Sequence, residues 1–402
     1  FAALTKDGYY PVFLIWPSGL IGSYGEHVTS VRQGVREESK LGKVFKVVTT
    51  PLVVAQDVGV GLVRSPMVAL QTLRSDLLTT IPANSNYADQ DRVKIYRSLA
   101  ARGLPIRIGD DYRTKAEEGG RFAAYVATLP AKLVTAGAVI DAFGRPAWDD
   151  MLRRSYMVYP GSFADVAAPG GLVVAQSETR QKKQRDANAS GFGNFIGAVE
   201  NLQWDLHFRL TLVGHSMGTI VLNHLLDATT LDAERIIYLS AACTVRDYAE
   251  SVLPYLVNHP EAHAYSLMLH PLAEAGEFQA KLADLPPRGS LLMWIDNFLA
   301  NPVSEQDRTF GRWTNLFLPT PTGRSAIEDF MLHYGITDSA GLPRIHFRAY
   351  GVGHGATARA DKFQWNVAPA NIRPTGDELI PETHGEISTI KFWRDEVIDG
   401  GR

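Results

Sequence analysis

Leu210-Thr211-Leu212-Val213 is a short run of aliphatic and β-branched residues that leads into Gly214-His215-Ser216-Met217-Gly218 and then into Thr219-Ile220-Val221-Leu222-Asn223-His224-Leu225-Leu226. The first run reads as a buried strand and the last as a helix, so the chain must reverse between them inside a G-x-S-x-G motif. Few backbones allow that. A serine at the centre of such a turn is strained, and the residues two before and two after it must be small to clear it, a need that Gly214 and Gly218 meet. The turn aims the Ser216 hydroxyl out of the sheet. It also places the Met217 N–H at the start of a helix, where a developing negative charge is stabilised. Ser216 is therefore the candidate nucleophile and Met217 a candidate oxyanion donor.

The rest of the chain bounds what this turn can belong to. With 402 residues there is room for one large α/β domain with an insertion, or for two domains. Forty basic and 43 acidic residues leave a net charge of -3, which offers no field to draw nucleic acid or an anionic membrane. The basic tract Arg180-Gln181-Lys182-Lys183-Gln184-Arg185 reads as a solvated loop. The strongest candidate for a membrane span, Val44 to Leu62, is interrupted by Lys46, Gln56 and Asp57, so no transmembrane helix is expected. Cys243 is the single cysteine, which excludes an intrachain disulfide and a cysteine-rich metal site and slightly favours a reducing, cytoplasmic compartment. His259-Pro260-Glu261-Ala262-His263 has a proline inside the turn and is not H-E-x-x-H, so no metal is expected there. Asn188-Ala189-Ser190 fits a glycosylation sequon, which matters only in an exported chain. Phe1 stands where a methionine would begin a full reading frame, so the absence of a leader says nothing about location.

Along the chain, Phe1 to Leu4 reads as a strand before a Lys6-Asp7-Gly8 turn, and Tyr10 to Trp16 as a buried strand. The latter ends in a glycine-rich loop, Pro17-Ser18-Gly19-Leu20-Ile21-Gly22-Ser23-Tyr24-Gly25. From about Val53 to Gly144 helices, Met67 to Thr80 and Gly120 to Ala138 among them, run without clear strands, which marks a helical insertion or cap. Its apolar residues suit the wall of a hydrophobic site. The sheet is expected to resume at Arg154 to Tyr159. A helix at Gly193 to Leu202, rather than a dinucleotide loop, then delivers the chain to the Ser216 strand. Strands follow at Arg235 to Ser240, Ala264 to Leu269 and Arg344 to Tyr350, with a packed helix at Arg288 to Leu299, a second excursion at 303–340 and a closing helix from Ile387 to Trp393.

Over residues 10–25 and 200–400 this order resembles the α/β-hydrolase superfamily, in its serine esterase and lipase branch, the likeness resting mainly on Gly214-His215-Ser216-Met217-Gly218. The resemblance implies an α/β fold with a mostly parallel sheet flanked by helices. Residues 1–52 and 145–402 would form the core and 53–144 the cap. It places the second oxyanion donor in the loop after the early strand, on Ser18 or Gly19, since Pro17 has no N–H. It orders the triad as serine, acid, histidine. His384, in Thr383-His384-Gly385-Glu386, is favoured over His354, in Gly351-Val352-Gly353-His354-Gly355; Glu274 is favoured over Asp247 as the acid; and His215 is assigned packing or orientation. The expected chemistry is acyl transfer on a carboxylic ester through an acyl-enzyme on Ser216, with no cofactor and no metal. The expected partner is a small-molecule ester with an apolar acyl or alcohol group, not nucleic acid. The alternatives are a non-catalytic binding protein on the same fold, or a thioesterase, amidase or cofactor-free haloperoxidase.

Overall fold

The computed structural model describes residues 2–15, 22–24, 27, 40–80, 106–107, 127–131, 134–157, 191–269, 274, 277, 289–300, 302–317, 325–334, 336, 344–350 and 383–394. Within them lies an α/β domain. In chain order its longer helices are α1 (Lys40–Thr80), α2 (Arg145–Met157), α3 (Gly191–Leu206), α4 (Gly218–Ala228), α5 (Val245–Asn258) and α6 (Ala326–Tyr334). Its strands are β1 (Ile106–Arg107), β2 (Leu210–His215), β3 (Ala233–Leu239), β4 (His263–Leu269) and β5 (Ile345–Tyr350). The strands form one sheet in the order β1-β5-β4-β3-β2, and every neighbouring pair is parallel.

The sheet is covered on both faces, and successive residues of its central strands alternate between two apolar layers. Ile236 and Tyr238 of β3 join the layer that holds Leu222 and Leu226 of α4, Tyr248 and Leu253 of α5, and Phe310, Trp313 and Phe317. Ile237 and Leu239 point the other way, into a smaller layer with Tyr265, Leu267 and Leu269 of β4 and with Ile387 and Ile390. The second layer carries functional weight because it pins the 383–390 segment, and with it His384, against the sheet. The strands read from sequence at 235–240, 264–269 and 344–350 fall on β3, β4 and β5, and the helix before the serine strand is α3.

Several expectations are corrected. Ala2–Lys6 is a short helix, not a strand. Tyr10 to Ile15 has no regular structure and lies open, Ile15 being 92% exposed. An apolar run becomes a strand only where a sheet edge accepts it, and this one belongs to none of the described strands. Arg154 to Met157 ends helix α2, in which Trp148, Met151 and Ser155 are buried at helical spacing and Asp150 bonds Arg154 one turn on. Residues 386–389 form only a 3₁₀ turn, so no closing helix runs from Ile387 to Trp393. The stretch 53–144 contains β1, which pairs with β5, so part of it belongs to the sheet. Beyond these corrections, α1 runs unbroken through Lys46, Gln56 and Asp57, and its segment Thr49–Leu70 is long and apolar enough, by length and composition alone, to cross a bilayer.

Candidate active site

Ser216 follows the last residue of β2 and adopts φ 51°, a left-handed conformation rare for a residue with a side chain. Such strain persists only where the surroundings over-determine it. Here the Ser216 N–H donates to Leu239 O at 2.9 Å, and Ser216 O accepts from the N–H groups of Thr219 and Ala242, each at 3.1 Å. The Thr219 hydroxyl adds a third bond to Ser216 O at 2.7 Å and accepts from the Cys243 N–H at 3.2 Å. The serine is thus fastened to the end of β3 as well as to its own helix. The 240–243 segment is itself held by Gly311 and Phe310, whose N–H groups donate to Ala241 O and Cys243 O.

The two motif glycines are not equivalent. A Cβ on Gly214 would meet the backbone of Thr219 at 3.0 Å, whereas one on Gly218 would meet nothing within 4 Å. The sequence expectation of smallness on both sides is therefore corrected for Gly218. Gly214→Ala is expected to cost about 1–3 kcal/mol of stability, since backbone must shift to accept the methyl, while Gly218→Ala stays within about 0.5 kcal/mol. Urea denaturation of the two variants checks the contrast.

Met217 caps the N-terminus of α4, so its N–H is among the helix's first donors, which have no intrahelical acceptor. Ser18 and Gly19, the expected second donors, lie outside the described residues, as does His354.

His384 is brought to the serine turn. Its carbonyl lies 3.2 Å from Nε2 of His215, the residue next to Ser216, in a geometry that has Nε2–H donating, and the two rings are 5.3 Å apart. Both ring nitrogens of His384 are buried and, among the described residues, have no hydrogen-bond partner. Burial, with His215 beside it, pushes the His384 imidazole down to about 3, so the ring is neutral in the folded protein. Burial likewise lowers His215, against the effect of its bond to the His384 carbonyl. His215 thus packs against the His384 segment and bonds its carbonyl.

The carboxylates divide by role. Asp247 and Thr244 form a reciprocal cap at the start of α5, each accepting from the other's N–H, and burial raises the Asp247 pKa. Glu274 accepts from the Ser290 hydroxyl at 2.9 Å and from Arg312 Nε at 3.0 Å. Burial pushes the Glu274 carboxyl up and the Arg312 guanidinium opposes that. Arg312 also donates to Asp296 at 2.7 Å, so one buried guanidinium sits between two carboxylates. The carboxylate that reaches the histidine is Glu277, whose Oε2 accepts from the His384 N–H at 3.0 Å. Sequence reading did not single it out; it lies three residues beyond Glu274 after the same strand, which was the available signal. Among the described residues, no three His, Cys, Asp or Glu side chains converge to hold a metal ion.

A chain of contacts therefore runs from Arg312 through Glu274 and its near neighbour Glu277 to His384, and through His215 to Ser216. Comparison of the whole chain with known protein families, with curated proteins and with solved structures gives no match.

Proposed function

We propose that the protein is a serine hydrolase of carboxylic esters, built on an α/β-hydrolase-like fold, with Ser216 as nucleophile. The observation that carries this reading is the left-handed backbone of Ser216 at the junction of a parallel strand and a helix. A strained serine fixed by four hydrogen-bonding groups is the arrangement that a nucleophile elbow requires. Support comes from the neutral, buried His384 on the adjoining residue and from the position of that histidine after β5, in the order serine, acid, histidine.

In this reading His384 takes the Ser216 proton as the oxygen attacks the ester carbonyl, and returns it to the leaving alkoxide. The Met217 N–H meets the oxyanion, with Ser18 or Gly19 as the expected second donor. Water then repeats the attack on the acyl-enzyme. Glu277 replaces Glu274 as the proposed acid, because it is the carboxylate in contact with His384, while Glu274 and Asp247 serve the scaffold. Its charge favours the imidazolium that forms when the proton moves.

Treatment with a fluorophosphonate is expected to leave one adduct, on Ser216, that disappears in Ser216→Ala, and the same substitution is expected to end turnover of short p-nitrophenyl esters. An unlabelled Ser216 in folded protein would overturn the assignment and favour the non-catalytic binding protein.

A further inference from the structure

Helix α1 is built the wrong way round for a helix that faces water. Of its segment Thr49–Leu70 only 11% is buried, yet the exposed positions recur at helical spacing and are almost all apolar: Leu52 at 71% exposed, Val60 at 47%, Leu62 at 56%, Val63 at 82%, Met67 at 53% and Leu70 at 67%. The two charged residues of the segment are turned inward. Asp57 accepts from the Tyr24 hydroxyl at 3.0 Å and lies 3.5 Å from His27, and Arg64 pairs with buried Asp141 at 3.3 Å. Val68, also inward, is fully buried in the main apolar layer. A continuous apolar stripe of this kind in water marks an interaction surface.

We propose that this stripe docks on a lipid bilayer, with α1 lying along the membrane surface. Two features favour lipid as the occupant. The segment Thr49–Leu70 is 22 residues long and apolar enough by composition to match the hydrocarbon of a bilayer. The backbone is also prepared for a medium without water: Pro66 leaves the Leu62 carbonyl without its helical N–H, and the Ser65 hydroxyl donates to it at 2.8 Å. A surface orientation, rather than a span, follows from the inner face. Its ion pairs and its packing against Thr135–Gly144 tie that face to the α/β domain, and crossing the bilayer would carry those charges into hydrocarbon.

The test is flotation of the full chain with phosphatidylcholine vesicles, with and without phosphatidylglycerol. The chain is expected to float with both vesicle types. Leu62→Asp or Val63→Asp should abolish binding with the circular dichroism spectrum unchanged. Leu62→Ser serves the same end if the charged variants misfold. A chain that stays with the unbound fraction in both vesicle types overturns the proposal. So does a mass in solution of two copies that falls to one in Leu62→Asp, since a second chain would then cover the stripe.

Discussion

His384→Ala is expected to lower kcat/KM toward a p-nitrophenyl ester by about 10⁴- to 10⁶-fold, because a serine hydroxyl without its base is a poor nucleophile. Glu277→Gln separates two roles. Glutamine keeps an oxygen that can accept from the His384 N–H but carries no charge, so retained activity means that Glu277 only holds the backbone. A fall of about 10²- to 10⁴-fold, carried in kcat rather than KM, means that its charge favours the imidazolium. The same histidine gives stability a pH dependence of known sign. Its pKa of about 3 in the folded protein lies below the ordinary 6.5, so between these values the unfolded chain binds more protons than the folded one. Stability is complete above the ordinary value and falls by about 1.4 kcal/mol per pH unit as the solution is acidified through that window. Urea midpoints measured against pH should lose this contribution in His384→Ala.

Arg312→Ala is expected to cost about 3–5 kcal/mol, since it leaves Glu274 and Asp296 buried without a cation. Asp296 keeps the Thr309 N–H and the Asn315 amide as donors, at 2.8 Å each, whereas among the described residues the Glu274 carboxylate keeps the Ser290 hydroxyl alone. The loss should therefore reach beyond stability to the segment that presents Glu277, and through it to His384. Arg312→Lys retains the charge but not the fork that spans both carboxylates, so an intermediate cost is expected. Denaturant titration of the two variants gives the ordering. A cost below about 1 kcal/mol for the alanine variant would mean that water has taken the place of the guanidinium.

How far the sequence could be read depended on whether a residue's role was local. The serine strand, the turn and helix α4 were legible because an aliphatic and β-branched run, a glycine at a close approach and a helical apolar period are all written within a few residues. The three strands that follow were legible for the same reason, each being an apolar run bounded by turn residues. Tyr10 to Ile15 carries the same pattern and is exposed, because pairing depends on a free sheet edge and not on the run itself. Arg154 to Met157 was misread because the pairing of Asp150 with Arg154 and the burial of Trp148 and Met151 favour a helix over a strand. The interruptions at Lys46, Gln56 and Asp57 stopped neither helix α1 nor its apolar stripe, since Asp57 turns inward to Tyr24 and His27.

For this protein the sequence by itself determined an α/β domain, a serine on a strand-to-helix turn and a short set of histidines and acids that could serve it. Only the tertiary structure decided which of them meet. Glu277 and the His384 backbone are 107 positions apart, and they come together because the register of β3, β4 and β5 and the apolar layer around Ile387 place their segments side by side. Glu274, the carboxylate at the expected position, is drawn instead to Arg312, because a buried guanidinium demands partners wherever it falls. Neighbours along the chain are fixed by covalent spacing; neighbours across it are fixed by which apolar faces and buried charges have to be covered at the same time.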